Sequence, residues 1–114
     1  MSNHEEATSQ PPADPALVAV RALRALLRAR GLTDEAVARR MRPRVHMSLV
    51  NKTVLGRRTN RDDIRRRIAK LLELPYEHVW GEHAATHLSD ALREELTRQR
   101  LAQVDDDFRR AMNG

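Results

Sequence analysis

The sequence predicts an all-α fold, and three observations carry that expectation. Apolar residues recur at helical spacing in several separate stretches, as in Leu17, Val20, Leu23 and Leu27 or Ile64, Ile68, Leu71 and Leu72. No stretch alternates apolar and polar residues over a useful strand length. The ends of the periodic stretches carry start and stop residues: Asp14-Pro15, Gly31, Thr33-Asp34-Glu35, Gly56 and Pro75.

Residues 1–13 have no large apolar side chain after Met1 and are expected to form a disordered tail. Asp14 as N-cap and Pro15 at the first helical position open a helix over about 15–30, which Gly31 closes. Its residues Leu17, Val20, Leu23 and Leu27 are expected in the core. Thr33 caps the next helix, with Asp34 and Glu35 at its positive end. Val37, Ala38 and Met41 face inward, and Pro43 bars helix at Arg42, so the helix stops near Met41. Residues 42–45 form a tight connection with Val45 as an apolar plug. A short helix follows at about 46–55, with Gly56 suited to its left-handed end. Thr59 and Asp62 read as a capping box for a fourth helix over 60–74. Pro75 stops it and opens a single turn at 75–79, with Val79 and Trp80 tucked under the domain. Ser89 or Asp90 caps a last helix over about 89–112. That helix carries two apolar stripes, Leu88, Leu92 and Leu96, then Leu101, Val104, Phe108 and Met112, which point well apart around its axis. Either it bends near 97–100, or its second half faces a different partner. The expected organisation is a tail (1–13), one helical domain (14–81) and a C-terminal helical extension (82–114).

The chain's 114 residues leave room for one compact domain with tails. It has no cysteine, which excludes disulfides, thiolate metal sites and a cysteine nucleophile. Nothing resembles a signal peptide and no apolar run spans a bilayer, so a soluble, cytoplasmic, nucleoid-associated protein with no membrane partner is expected. The net charge is +5. Its distribution is uneven, because residues 16–75 hold 16 Lys/Arg against 5 Asp/Glu while both flanks are acidic. A basic segment dominated by arginine is the footprint expected of a polyanion binder, although a solvated basic surface has the same composition. No glycine-rich phosphate loop, nucleophile motif or carboxylate pair is present, so neither an enzyme nor a cofactor is expected. His83 and His87 are spaced i, i+4 and with Glu82 reach toward a zinc site, but no third strong ligand is in view and no metal is expected. His78 reads the same way.

A short helix, a tight connection and a second short helix, flanked by supporting helices, form a helix-turn-helix arrangement. In the second helix Val50 and Val54 share a buried face. Met47, Ser48, Asn51 and Lys52 fall on the other side, where short polar groups can meet base edges or phosphate. The run Arg30-Gly-Leu-Thr-Asp-Glu-Ala-Val-Ala-Arg-Arg-Met, then residues 45–54, then Gly-Arg-Arg-Thr, then Ile64-x3-Ile68-Ala-x-Leu-Leu-x-Leu-Pro-x3-Val79-Trp80 resembles the lambda-repressor-like (Xre-type) helix-turn-helix regulators. It is closest to the small Ner-like phage regulators. The resemblance covers about 16–81. It implies a compact four- to five-helix lambda-repressor-like domain that binds operator DNA. By the family pattern Ala38 lies where the two helices cross, Val45 plugs the turn and Val50 is the buried residue of the recognition helix. The base-contacting positions then fall on His46, Met47, Ser48, Asn51 and Lys52, and phosphate-contacting positions on Thr33, Arg57, Arg58 and Arg61. Two features depart from the family. Arg42-Pro43-Arg44 replaces a shorter, glycine-containing turn, which tilts the recognition helix or shifts its start, and residues 82–114 lie outside the resemblance.

Among side-chain roles, Asn51 suits a bidentate contact to adenine and Lys52 reaches guanine or phosphate. Arg42 and Arg44 reach backbone or groove. The leading expectation is a sequence-specific transcriptional regulator, a phage or prophage type repressor or autorepressor, with double-stranded DNA as partner. A homodimer is expected through Leu101, Val104, Phe108 and Met112. The alternative is a protein-interaction module, antitoxin- or adaptor-like, whose C-terminal helix grips a protein partner while DNA binding is secondary. Non-specific nucleoid or RNA binding is a third reading.

Overall fold

Asp14 starts the first helix as its composition suggests, its side chain accepting from the Ala16 N–H at 3.0 Å. The computed structural model describes residues 14–57 and 61–113; the tail expected at 1–13 lies outside the described residues. Those residues form six helices and no strand: α1 (Pro15–Ala29), α2 (Asp34–Arg39), α3 (Met47–Val54), α4 (Asp62–Leu71), α5 (Tyr76–Trp80) and α6 (Ala84–Asn113). The fold is all-α, with a helix-turn-helix-like α2–α3 pair and a long C-terminal helix. Among the described residues no helix is long and apolar enough to cross a membrane.

One core joins all six helices. Leu23 and Leu26 of α1, Val37 of α2, Val50 and Val54 of α3, Ile64 and Ile68 of α4, Val79 of α5 and Leu88 of α6 are its buried centre. Each such side chain contributes about 1.5–3 kcal/mol by leaving water. Val45 packs against this core from the α2–α3 connection. Gly31 (φ +70°) and Gly56 (φ +76°) occupy the left-handed turns that end α1 and α3. Leu17, expected in the core, is 47 % exposed, because the buried face of α1 begins one turn later, at Ala22 and Leu23.

Three helix limits differ from the sequence reading. α2 ends at Arg39 rather than near Met41: the Arg40 and Met41 N–H groups bond three residues back, to Val37 and Ala38, so the last turn tightens ahead of Pro43 while Met41 still buries its side chain. α4 begins at Asp62 rather than 60, with Arg61 at the N-cap and no side-chain cap bond. Thr59, the expected capping residue, lies outside the described residues. α4 also stops before 74. The Leu74 N–H reaches the Ala69 carbonyl at 3.1 Å and the Glu73 N–H reaches that of Lys70 at 3.0 Å, a Schellman ending with Glu73 at φ 58°. A left-handed conformation costs a non-glycine residue about 1–2 kcal/mol. Glu73→Gly is therefore expected to raise the melting temperature by a few degrees, a gain of up to about 1 kcal/mol; a lower melting temperature would refute this account of the turn.

α6 starts at Ala84, not at Ser89 or Asp90. Ala84, Leu88 and Ala91 are i, i+4, i+7 and all buried, so the apolar face extends one turn ahead of the expected cap. The core thus continues past residue 81, and α6 packs more extensively on α1 than on any other helix. Arg30 fixes this junction. Its guanidinium donates to the Leu72 carbonyl and to Glu95 Oε1, the latter at 2.9 Å. Arg30, with help from Arg98, holds the Glu95 carboxyl below the usual glutamate range. Its folded-state value is depressed, so its stabilisation is present above the unfolded value and lost as the pH falls through the folded one. Stability is accordingly expected to be flat near neutrality and to drop below the ordinary glutamate range, and Glu95→Gln to flatten that drop. Acid titration of thermal stability checks it, and an unchanged drop in the variant would count against the Arg30–Glu95 contact.

Beyond Leu92 the α6 helix leaves the core. It runs as one element to Asn113 without interruption, and every residue from Leu96 to Asn113 is exposed. The stripe Leu101, Val104, Phe108 and Met112 is exposed along this second half.

Candidate nucleic-acid interface

α3 is short because both of its ends are set locally. His46 is the N-cap: its Nδ1 accepts from the Ser48 N–H at 3.1 Å and lies 2.9 Å from Ser48 Oγ. At the other end the Gly56 N–H bonds to the Thr53 carbonyl, and Arg57 to that of Lys52. Between them Val50, Thr53 and Val54 are buried, and Thr53 gives its hydroxyl proton to the Leu49 carbonyl at 2.8 Å.

The outward side of α3 then presents Met47, Ser48 and Lys52, all exposed, Met47 to 50 %. Asn51 sits differently. It is half-buried on the seam with α2, and its Nδ2 donates to Asp34 Oδ2 at 3.0 Å. Of the five expected base-reading side chains, four (His46, Met47, Ser48 and Lys52) stand on the exposed side and the fifth is held by a carboxylate of the preceding helix.

The expected phosphate-binding residues separate into two groups. Thr33 is spent as the N-cap of α2, accepting from the Ala36 N–H at 3.1 Å. Arg42 donates to the carbonyls of Arg39 and Met41, so it closes the end of α2. Arg61 forms a two-pronged pair with Asp63, both contacts at 3.0 Å, which holds the Asp63 carboxyl below its usual range. With Asp62 and Asp63 in its first turn, the N-terminus of α4 already carries negative charge. Arg44 and Arg57 are exposed, and Arg58 lies outside the described residues.

The structure adds arginines to which the sequence reading gave no role. Arg21, Arg24 and Arg28 are i, i+3, i+7 on the exposed face of α1. With Arg57 they line a groove whose floor is Leu17, Val20, Ala25 and Leu55. Arg24 and Arg28 also border the neighbouring recess that contains Thr33, Asp34 and Asn51. Among the described residues no carboxylate pairs with Arg21, Arg24, Arg28, Arg44 or Arg57, whereas Arg30, Arg39, Arg61 and Arg66 each have one. A planar guanidinium left unpaired beside an exposed helix is suited to bidentate contact with phosphate. The signal was legible as a spacing, but the apolar stripe on the same helix claimed it first.

Away from this side, His78 and His87 stack with ring centroids 3.7 Å apart, and among the described residues no group of three acidic or histidine side chains is placed to hold a metal. The chain matches no protein-family model, no curated protein and no solved structure.

Proposed function

We propose that the chain is a sequence-specific double-stranded DNA-binding regulator that lays α3 in the major groove. The observation that carries this reading is the juxtaposition of one exposed polar helix side, Met47, Ser48 and Lys52, with arginines lacking carboxylate partners on α1 and just after α3. The helix reads bases, while Arg21, Arg24, Arg28 and Arg57 grip the backbone on one flank and Arg44 on the other. Occlusion of a promoter, as a phage-type repressor or autorepressor acts, is the regulatory outcome we propose.

Asn51 reads a base only after it leaves Asp34, so recognition includes the exchange of one hydrogen bond for another. Asn51→Ala is expected to relax specificity at one base position by about 1–3 kcal/mol while leaving affinity for random DNA unchanged. Selection of bound sequences from a random pool, followed by anisotropy titration of the selected site, tests both statements. Enrichment of no sequence would reject specific reading; an unchanged preference in the variant would reject Asn51 alone. The second reading, a protein-interaction module, is favoured by the exposed apolar stripe on α6.

A further inference from the structure

We infer that the distal half of α6 is a self-association surface that joins two copies of this chain as an antiparallel helix pair. Leu101, Val104, Phe108 and Met112 are between 59 % and 70 % exposed on the distal half of the helix. The domain-facing side of α6 is marked by Leu88 and Ala91 in the core, Glu95 on Arg30, and Gln99 bonded to the Ala29 carbonyl. At about 100° per residue the apolar stripe lies roughly 150° around the axis from that side. It therefore faces away from its own domain, and a second helix can approach it without meeting α1.

Spacing gives the stripe a coiled-coil seam, with Leu101 and Phe108 at one core position and Val104 and Ala111 at the other. One flank of the seam then carries Arg100 and Asp107, and the other carries Arg98 and Asp105. An antiparallel pair sets like flanks against each other. Centred between Ala102 and Gln103, it places Leu101 on the partner's Val104, Arg100 beside the partner's Asp107 and Arg98 beside the partner's Asp105. Symmetry repeats each contact, so each flank carries two oppositely charged pairs. A parallel, in-register pair also brings Arg100 to the partner's Asp105, but it stacks Glu94 on the partner's Glu94 and sets Arg93 against the partner's Arg98, both repulsive. The charge pattern thus selects a second copy in one orientation. The ion pair within the helix from Arg109 to Asp105, at 3.3 Å, is exposed on both sides and weak enough to share its partner, and the Arg98 guanidinium, 2.9 Å from Glu95, is itself exposed.

Sedimentation equilibrium of the full chain without DNA tests the inference apart from the DNA-binding reading. The expected result is a dimer at micromolar concentration. Phe108→Asp, at a position that touches no core residue, is expected to weaken it by about a hundredfold with the helical circular-dichroism spectrum kept. Arg100→Asp is expected to weaken it and Arg100→Asp with Asp107→Arg to restore it. Because the chain has no cysteine, introduced thiols read orientation: Glu94→Cys chains are expected to cross-link to Ala111→Cys chains and not to one another. A monomer at every concentration would overturn the proposal and leave the stripe to a partner of another kind. Self-cross-linking of Glu94→Cys would overturn the antiparallel arrangement.

Discussion

A chain ended at Gly81 is expected to lose its cooperative thermal transition, although the resemblance to helix-turn-helix regulators stops at about that point. The cut removes Ala84, Leu88 and Ala91 from the core and uncovers the faces of α1 and α5 on which α6 packs. Leu88 is fully buried, and truncating such a leucine to alanine alone costs about 2–5 kcal/mol, against a total stability of about 5–15 kcal/mol for a small domain. Removing the whole helix also deletes Glu95, leaving the half-buried Arg30 guanidinium without its carboxylate. A chain ended after Arg100 keeps all of these contacts and the Gln99 bond to Ala29. It is expected to melt within a few degrees of the full chain. Circular-dichroism melts of the two truncations decide the matter: a sharp transition in the shorter chain would show that α1 to α5 form the folding unit and that α6 only rests on them. The pair of truncations also separates stability from association, because only the longer one removes the distal stripe from a folded domain.

What the sequence revealed and what it hid follow from the range of each interaction. Gly31, Thr33 and Gly56 act within their own turn, so their roles as terminators and cap were legible in isolation and the structure places them so. The end of α4 was misjudged because a left-handed residue is ordinarily glycine, and here Glu73 takes that conformation under the hold of the Leu74 contact back to Ala69. The start of α6 was missed because Ala84 is a weak apolar signal; only its position opposite α1 makes it core. Side-chain availability was the least legible property. Arg61 and Arg42 bond within three positions of themselves, but nothing local tells that Asn51 meets Asp34, seventeen positions earlier, or that Arg24 and Arg28 pair with no carboxylate among the described residues. These depend on how α2 crosses α3 and on which face of α1 the core leaves exposed. The two apolar stripes of α6 were legible as incompatible with a single packing surface, and the structure resolves that conflict by extending the helix beyond the domain.

Replacing Arg21, Arg24, Arg28 and Arg57 together by alanine is expected to abolish most DNA affinity while leaving the fold intact. All four side chains are exposed and, among the described residues, none is in an ion pair with a carboxylate, so their loss breaks no such pair within the domain. Alanine also suits the helical positions on α1. If each guanidinium holds one phosphate at about 1 kcal/mol, the combined loss is about a thousandfold at low salt. The salt dependence carries the sharper test. Each phosphate neutralised contributes about 0.9 to the slope of log affinity against log salt, so the slope is expected to fall by between three and four, roughly, in the variant. The preference for a selected site over random DNA should survive, because these residues position the helix and do not read bases. The reverse pattern is expected of Lys52→Ala if that side chain reads guanine: a small change in slope and a loss of preference. A quadruple variant with an unchanged slope would show that the arginine face of α1 does not touch DNA, and α3 would then have to approach the duplex from the side of Arg44.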